Sequence, residues 1–321
     1  MSTIATIRAI YRYPVKGLSA ERLPAATLRP GETLAGDRRY AIENGPSGFD
    51  PAAPSYLPKQ RFLMLMKNER LARLDTHFHD ATQVLVIKEN GKEAVRGDLG
   101  RPAGRAAIEE FFAGFCADEL RGPPKVLAAP SHSFSDVAKK VVSIINLASV
   151  AAIEDMVGRP VDPLRFRGNL YVKGWPAWHE LDLLGREIAI GAQARAKVVK
   201  RIVRCAATNV EPGTGMRDLD IPPTLLRHLG HADCGVYAEV VTGGTIAAGD
   251  AVSFSLPDQS NSAVAEFDTF SAEIGQARFR MEDRAGETGT ELMESCPTRP
   301  PYARPPSPKT GRDGQTPAGG G

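Results

Sequence analysis

The chain has 321 residues, which at roughly 100 to 200 residues per domain allows about two domains. Lysine plus arginine (40) nearly balances aspartate plus glutamate (38), giving a net charge of +2, so no global field draws the protein to nucleic acid or to an anionic membrane. Apolar residues make up 42%, enough for a sizeable core, yet no apolar run approaches the ~20 residues of a membrane span. Met1–Tyr11 alternates where a secretory signal would place a basic and then an apolar stretch. The cysteines, at 116, 205, 234 and 296, are far apart with no CxxC, which argues against a disulfide scaffold or an iron–sulfur cluster. The expectation is a cytoplasmic protein with reduced thiols.

The first hundred residues read as β. Ile4–Arg12 alternates imperfectly, and Pro14 stops it before a Lys16–Gly17 turn. Further strands are expected at Ala25–Leu28, Arg39–Glu43, Leu71–Phe78, Val84–Lys88 and Lys92–Arg96, with Asn90–Gly91 as a hairpin signal and Gly45–Pro58 as a surface loop. Such spacing suits a small barrel or sandwich. Ile108, Phe111, Phe112 and Phe115 then recur at helical spacing within Arg101–Leu120. A second helix is expected after Asn146 as N-cap, with Val150, Ile153 and Met156 inward and an end near Gly158–Pro160. Strands return at Phe166–Val172 and Glu187–Cys205, followed by a short helix from Pro222 to Gly230. Val236–Val241 and Ala251–Leu256 close the pattern as strands, joined by the turn-rich Thr242–Asp250. From 258 to 321 the composition shifts to Pro, Thr, Arg, Ser and Gly, which reads as a disordered tail. The expected domains are 1–100, 101–257 and this tail.

Cys205 closes a cationic run of Lys197, Lys200, Arg201 and Arg204. Cations near a thiol favour thiolate, which attacks electrophiles and binds soft metals. On local context alone a small buried hydrophobe at a strand end is the favoured reading. If Phe166–Val172 continues as a strand through Arg165, then Arg165, Arg167 and Asn169 share one face, two guanidinium forks and an amide suited to a planar oxyanion; a solvated face is the alternative. Lys16 in its Pro/Gly turn and Arg38 after Gly36–Asp37 are further anion candidates. His228, His231 and Cys234 have no second ligand pair for a structural zinc, and His77 with His79 reads as a polar strand face. The basic Arg195–Arg204 lacks the interleaved aromatics of a nucleic-acid stripe, and no glycine-rich nucleotide signature is present.

Six segments in order, Tyr13–Gly17, Pro30–Arg38, Arg165–Asn169, Arg204–Asp218, His231–Tyr237 and Gly244–Asp250, give the chain a resemblance to the MOSC family. The family takes its name from the C-terminal domain of molybdenum cofactor sulfurase. The likeness is to its two-part members, the bacterial proteins that detoxify N-hydroxylated bases and the mitochondrial amidoxime-reducing component. It spans residues 3–256 and implies an α+β, strand-dominated fold, an N-terminal β-barrel followed by a MOSC barrel with a few helices. It implies molybdenum cofactor (molybdopterin), with Cys205 as both metal ligand and catalytic residue. By the same resemblance Lys16, Arg38, Arg167 and Asn169 hold the phosphate and pterin, Tyr237 is another contact, and Asn146 and Ser149 belong to a loop over the pterin. The family's pyridoxal phosphate label comes with the resemblance as a label only.

Three departures stand out. Gly17 stands where Ser is frequent, Cys234 where an aromatic is frequent, which reads as packing, and Gly168 where Pro is common, which implies a looser loop. The Cys-x4-Cys-x2-Cys run of ferredoxin-fused relatives is absent, so a separate redox partner protein is expected to deliver electrons. The expected function is reduction of a small N-hydroxylated substrate by oxygen-atom removal, with no nucleic-acid partner and no membrane span. The alternatives are a sulfur carrier or sulfurtransferase using a Cys205 persulfide, and a non-catalytic carrier of molybdenum cofactor.

Overall fold

The opening alternation folds as β1 (Ile4–Arg12), and its imperfection has a structural cause. A bulge between Ile7 and Ala9 moves the buried face from Ala5 and Ile7 onto Ile10. The structure, a computed structural model, describes residues 4–254; the tail expectation for 258–321 lies outside the described residues.

After β1 come β2 (Glu21–Leu23), β3 (Ala25–Leu28) and the two-residue β4 (Ala41–Ile42), shorter than the Arg39–Glu43 expected. The strand expected from Leu71 begins later, as β5 (Leu74–His79), because Glu69–Arg73 closes as a 3-10 turn. β6 (Val84–Glu89) and β7 (Lys92–Asp98) complete an antiparallel meander. Asn90 and Gly91 both take positive φ, 52° and 75°, as a type I′ hairpin turn requires. α1 (Pro102–Phe115) starts on its proline and lays Ile108 and Phe112 against this sheet. β8 (Val126–Leu127) pairs with β4. These elements share a core of Val15, Tyr40, Leu63, Phe78, Ile87 and Phe112.

The second half opens with β9 (Val142–Asn146), in which every residue is buried, followed directly by α2 (Leu147–Val157). Asn146 caps α2 by accepting from the Ala148 amide, and Gly158 ends it in the left-handed region. Then come β10 (Leu170–Lys173), β11 (Glu187–Ile190), β12 (Ala194–Val203), α3 (Ile221–Leu229), β13 (Asp233–Thr242), β14 (Gly244–Ala247) and β15 (Ala251–Ser253). β14 lies inside what reads as a turn-rich connection, and it pairs with β3.

The large sheet runs β10-β9-β13-β12-β11-β15-β1-β2, and β10 also pairs with β1. That last pairing closes a barrel filled by Ile7, Ile10, Ile144, Val172, Val198 and Val236. α2 and α3 cover its outside through Val150, Ile153, Ile221 and Leu225. The fold is α+β and strand-dominated, with an N-terminal barrel-like half, a second barrel and a few helices, as the sequence implies. Strands from the first hundred residues complete the second barrel. Among the described residues no helix is long and apolar enough to cross a membrane.

Candidate functional site

A cavity of about 240 Å³ opens where the turn after β1, the loop before β10 and the end of β12 meet. Lys16, Arg38, Arg167, Asn169, Cys205 and Tyr237 all line it. So do Lys200, Arg201 and Arg204, while its carboxylates are Asp37 and Asp136. An excess of cations facing one half-buried thiol has the chemistry that suits an anion carrying a soft centre.

Each side chain arrives by a different device. Lys16 is buried; its ammonium donates to the Phe134 carbonyl at 2.8 Å and pairs with Asp136. Burial lowers the Lys16 pKa, and Asp136 counters that shift. Arg38 pairs with Asp37, and its guanidinium also donates to the Arg167 carbonyl at 3.0 Å, tying the first half of the chain to the second. Arg38 and Arg167 both hold left-handed backbone, φ 47° and 51°. Non-glycine residues rarely adopt it, and such strain persists where the surroundings over-determine it, often at functional sites. Both guanidinium groups lie against the buried Tyr13 ring, at 4.5 Å and 4.2 Å from its centroid.

Arg167 differs from the other two in its charge balance. Among the described residues it forms no ion pair, and one of its terminal nitrogens is buried without a hydrogen-bond partner. Burial lowers its pKa, with the Tyr13 ring and distant carboxylates only partly compensating. A buried unpaired guanidinium is costly unless an anion joins it. Among the described residues Arg204 likewise forms no ion pair; it donates to the Phe166 and Cys234 carbonyls.

The residues 165 to 169 do not form a strand face. Asp162 caps a 3-10 turn over Pro163–Phe166, Arg167 turns left-handed, and β10 begins only at Leu170. Arg165 therefore points to Asp218, which it meets at 2.8 Å and 2.9 Å, and its charge is consumed there. Asn169 accepts from the Ser143 amide and hydroxyl and donates one N–H to the Tyr11 carbonyl, leaving its second N–H. Nor is the loop loose at Gly168. A Cβ there would lie 2.3 Å from Ile145 Cγ1, and the Gly168 amide donates to the Tyr171 hydroxyl at 3.0 Å. The position excludes both a side chain and a proline nitrogen.

Asn146 and Ser149 are not brought to the cavity. Both are fully buried beside β13, where they donate to the Glu180 carboxylate at 3.0 Å and 2.8 Å. The N-cap position turns them toward that carboxylate. Cys234 is sealed in the α2/α3 layer, and burial pushes its thiol up to about 12. His77 and His79 sit ring to ring, 4.8 Å apart, on the exposed face of β5. Among the described residues no group of three or more His, Cys, Asp or Glu side chains is placed to hold a metal ion.

Two contributors escape a reading of the sequence. Lys59, at the end of the Pro-rich loop, donates to Cys205 Sγ at 3.3 Å and lies 3.8 Å from Asp136. Asp136 sits in a Ser-rich stretch with no periodicity. Neither stands out by charge, since Asp50 and Arg61 flank Lys59 and Lys139 and Lys140 follow Asp136.

Two family models match the chain. The MOSC N-terminal beta barrel domain matches residues 4–113, and the MOSC domain matches residues 129–253. Among solved structures the chain is similar to the YuaD protein from Bacillus subtilis, with 13% identity over 78% of this chain and 97% of that one and a TM-score of 0.37. It is also similar to YiiM from Geobacillus stearothermophilus, with 21% identity over 36% of this chain and 54% of that one and a TM-score of 0.29. No curated protein matches. With both family regions present in order, the chain belongs to the MOSC family.

Proposed function

We propose that the chain binds molybdenum cofactor in this cavity and works as a cytoplasmic oxidoreductase that removes oxygen from small N-hydroxylated substrates. The observation that carries the reading is that one half-buried thiol, Cys205, lines the same cavity as Arg167, a buried guanidinium that among the described residues forms no ion pair. The donor set fits the group. A metal that arrives already held by its own organic ligand needs a single soft protein donor rather than a cluster, and a phosphate needs unpaired cations. Cys205 would hold the metal. Arg167 would take the phosphate, with Lys16 and Arg38 joining as they share their carboxylate partners. Asn169 would offer its second N–H and Tyr237, kept protonated by burial, its hydroxyl. Bound there, the cofactor supplies two-electron oxygen-atom chemistry. The chain's own residues fix its orientation, and Lys59 holds a positive charge against the sulfur. Electrons would come from a separate redox protein.

The test is elemental analysis of protein made in a host that synthesises the cofactor, followed by turnover of an amidoxime with a reduced dye. About one molybdenum per chain is expected, and Cys205→Ala should abolish retention with an unchanged thermal melt, since the thiol is no part of the core. Full metal in that variant would sink the role of Cys205. Sulfane sulfur on Cys205 without metal would favour the sulfur-carrier reading. Cofactor passed to an acceptor apoenzyme without turnover would favour the carrier reading.

A further inference from the structure

A second cavity, of about 790 Å³, shares a wall with the first. Asp37 lines both; Arg39 faces the second and Arg38 the first, and Ser133 and Ser135 divide in the same way. No sulfur lines the second cavity. Its charged groups are Arg29, Arg39, Arg105, Glu32 and Asp37. Lys140 neutralises Glu32 at 2.7 Å, and Arg38 neutralises Asp37. Among the described residues the three arginines form no ion pair.

Two of them are held in place. The Arg39 guanidinium lies 5.3 Å from the Tyr40 ring centroid and donates to Gln83 Oε1 at 3.3 Å, and that oxygen also accepts the Tyr40 hydroxyl at 3.1 Å. Arg105, in the first turn of α1, has its Nε sealed from solvent with no hydrogen-bond partner. Three guanidinium groups that share one cavity without a carboxylate partner, one of them fixed over a tyrosine ring, suit a bidentate oxyanion. Thr33 and Ser131 also line the cavity. The charge balance narrows the class. Each phosphate group carries about −1.5 to −2 charges, so one phosphate would leave a guanidinium unpaired while a diphosphate would meet all three.

We propose that this cavity is a second anion site, taking the diphosphate group of a small-molecule ligand. It does not depend on what the first cavity holds.

The test uses the full chain and inorganic pyrophosphate. Arginines are modified with phenylglyoxal, with and without pyrophosphate, and mapped by peptide mass. Protection of Arg39 and Arg105 by roughly tenfold in rate is expected. By calorimetry, Arg39→Gln and Arg105→Gln should each weaken this pyrophosphate site about tenfold or more, the loss of one charged hydrogen bond. Arg167→Gln should leave it unchanged, which separates it from the first cavity. If Arg105→Gln fails to fold, Arg39→Gln and the protection pattern of the unaltered chain decide. Protection confined to Arg38 and Arg167, or affinity unmoved in a folded Arg39→Gln, overturns the site. Inorganic phosphate binding as tightly as pyrophosphate overturns the diphosphate class.

Discussion

Asp136 joins two cations that otherwise have little in common. It accepts from Lys16 and stands 3.8 Å from Lys59, which in turn reaches Cys205. Desolvation alone would raise its pKa, but Lys16, Lys59 and Arg38 outweigh that and hold it down from the usual 3.8 to about 2. A carboxyl whose folded pKa lies below its unfolded value contributes stability that is complete above the unfolded value and lost as pH falls toward the folded one. The melting temperature should therefore exceed that of Asp136→Asn at pH 6, and the gap should close between about pH 4 and pH 2. The side chain is 46% exposed, so after solvent screening the difference should not exceed about 1 kcal/mol. A gap that stays constant down to pH 2 would mean that Asp136 acts through shape rather than charge. Residues of this kind are hard to read in a sequence. Lys16, Arg38 and Cys205 announce themselves beside turns or inside a charge run. Lys59 and Asp136 reach the cavity from loops without period, and only the tertiary fold brings them together.

At the scale of elements, the β9–α2 junction shows both what sequence can give and where it misleads. The α2 cap was readable because Asn146 precedes an apolar helical period and Gly158 follows it. β9 itself was not, since Val142–Asn146 is buried throughout and offers no alternation to distinguish a strand from a helix. The strand expected over Phe166–Val172 begins only at Leu170, because Asp162 and Pro163 impose a turn that a pattern of alternating residues does not reveal. The fold gives Asn146 two tasks, capping α2 and donating to the Pro176 carbonyl at 2.7 Å and to Glu180 at 3.0 Å. Burial raises the Glu180 pKa, and Asn146, Ser149 and the Gly235 amide offset part of that cost. Asn146→Ala should lower stability by about 2 kcal/mol, the sum of a lost cap and a less satisfied buried carboxyl. If the chain holds molybdenum cofactor as proposed, molybdenum per folded chain should not change, because the side chain does not line the cavity. A selective loss of metal in a variant that remains fully folded would return Asn146 to the binding site.

At the scale of the molecule, the two family regions do not correspond to two independent folding units. β1 lies in the first region, yet it closes the barrel of the second by pairing with β10 and β15, and β3 pairs with β14. Ile7 and Ile10 from β1 are buried in that barrel's core. At roughly 1.5–3 kcal/mol per buried Ile side chain, their loss is a large share of a total stability of about 5–15 kcal/mol. Without β1, the edges of β10 and β15 would also be left with unpaired backbone groups, which invite aggregation. The site is divided in the same way, with Lys16, Arg38 and Lys59 on one side and Arg167, Cys205 and Tyr237 on the other. A fragment of residues 118–257 should therefore lack the near-ultraviolet dichroism and the cooperative melt of the whole chain, and co-expression with residues 1–117 should restore both. A sharp melt in the fragment alone would show that β10 and β15 find another partner and that the barrel does not depend on β1. Restoration by the first fragment would show that the strand exchanged between the regions is what binds the halves of the cavity into one site.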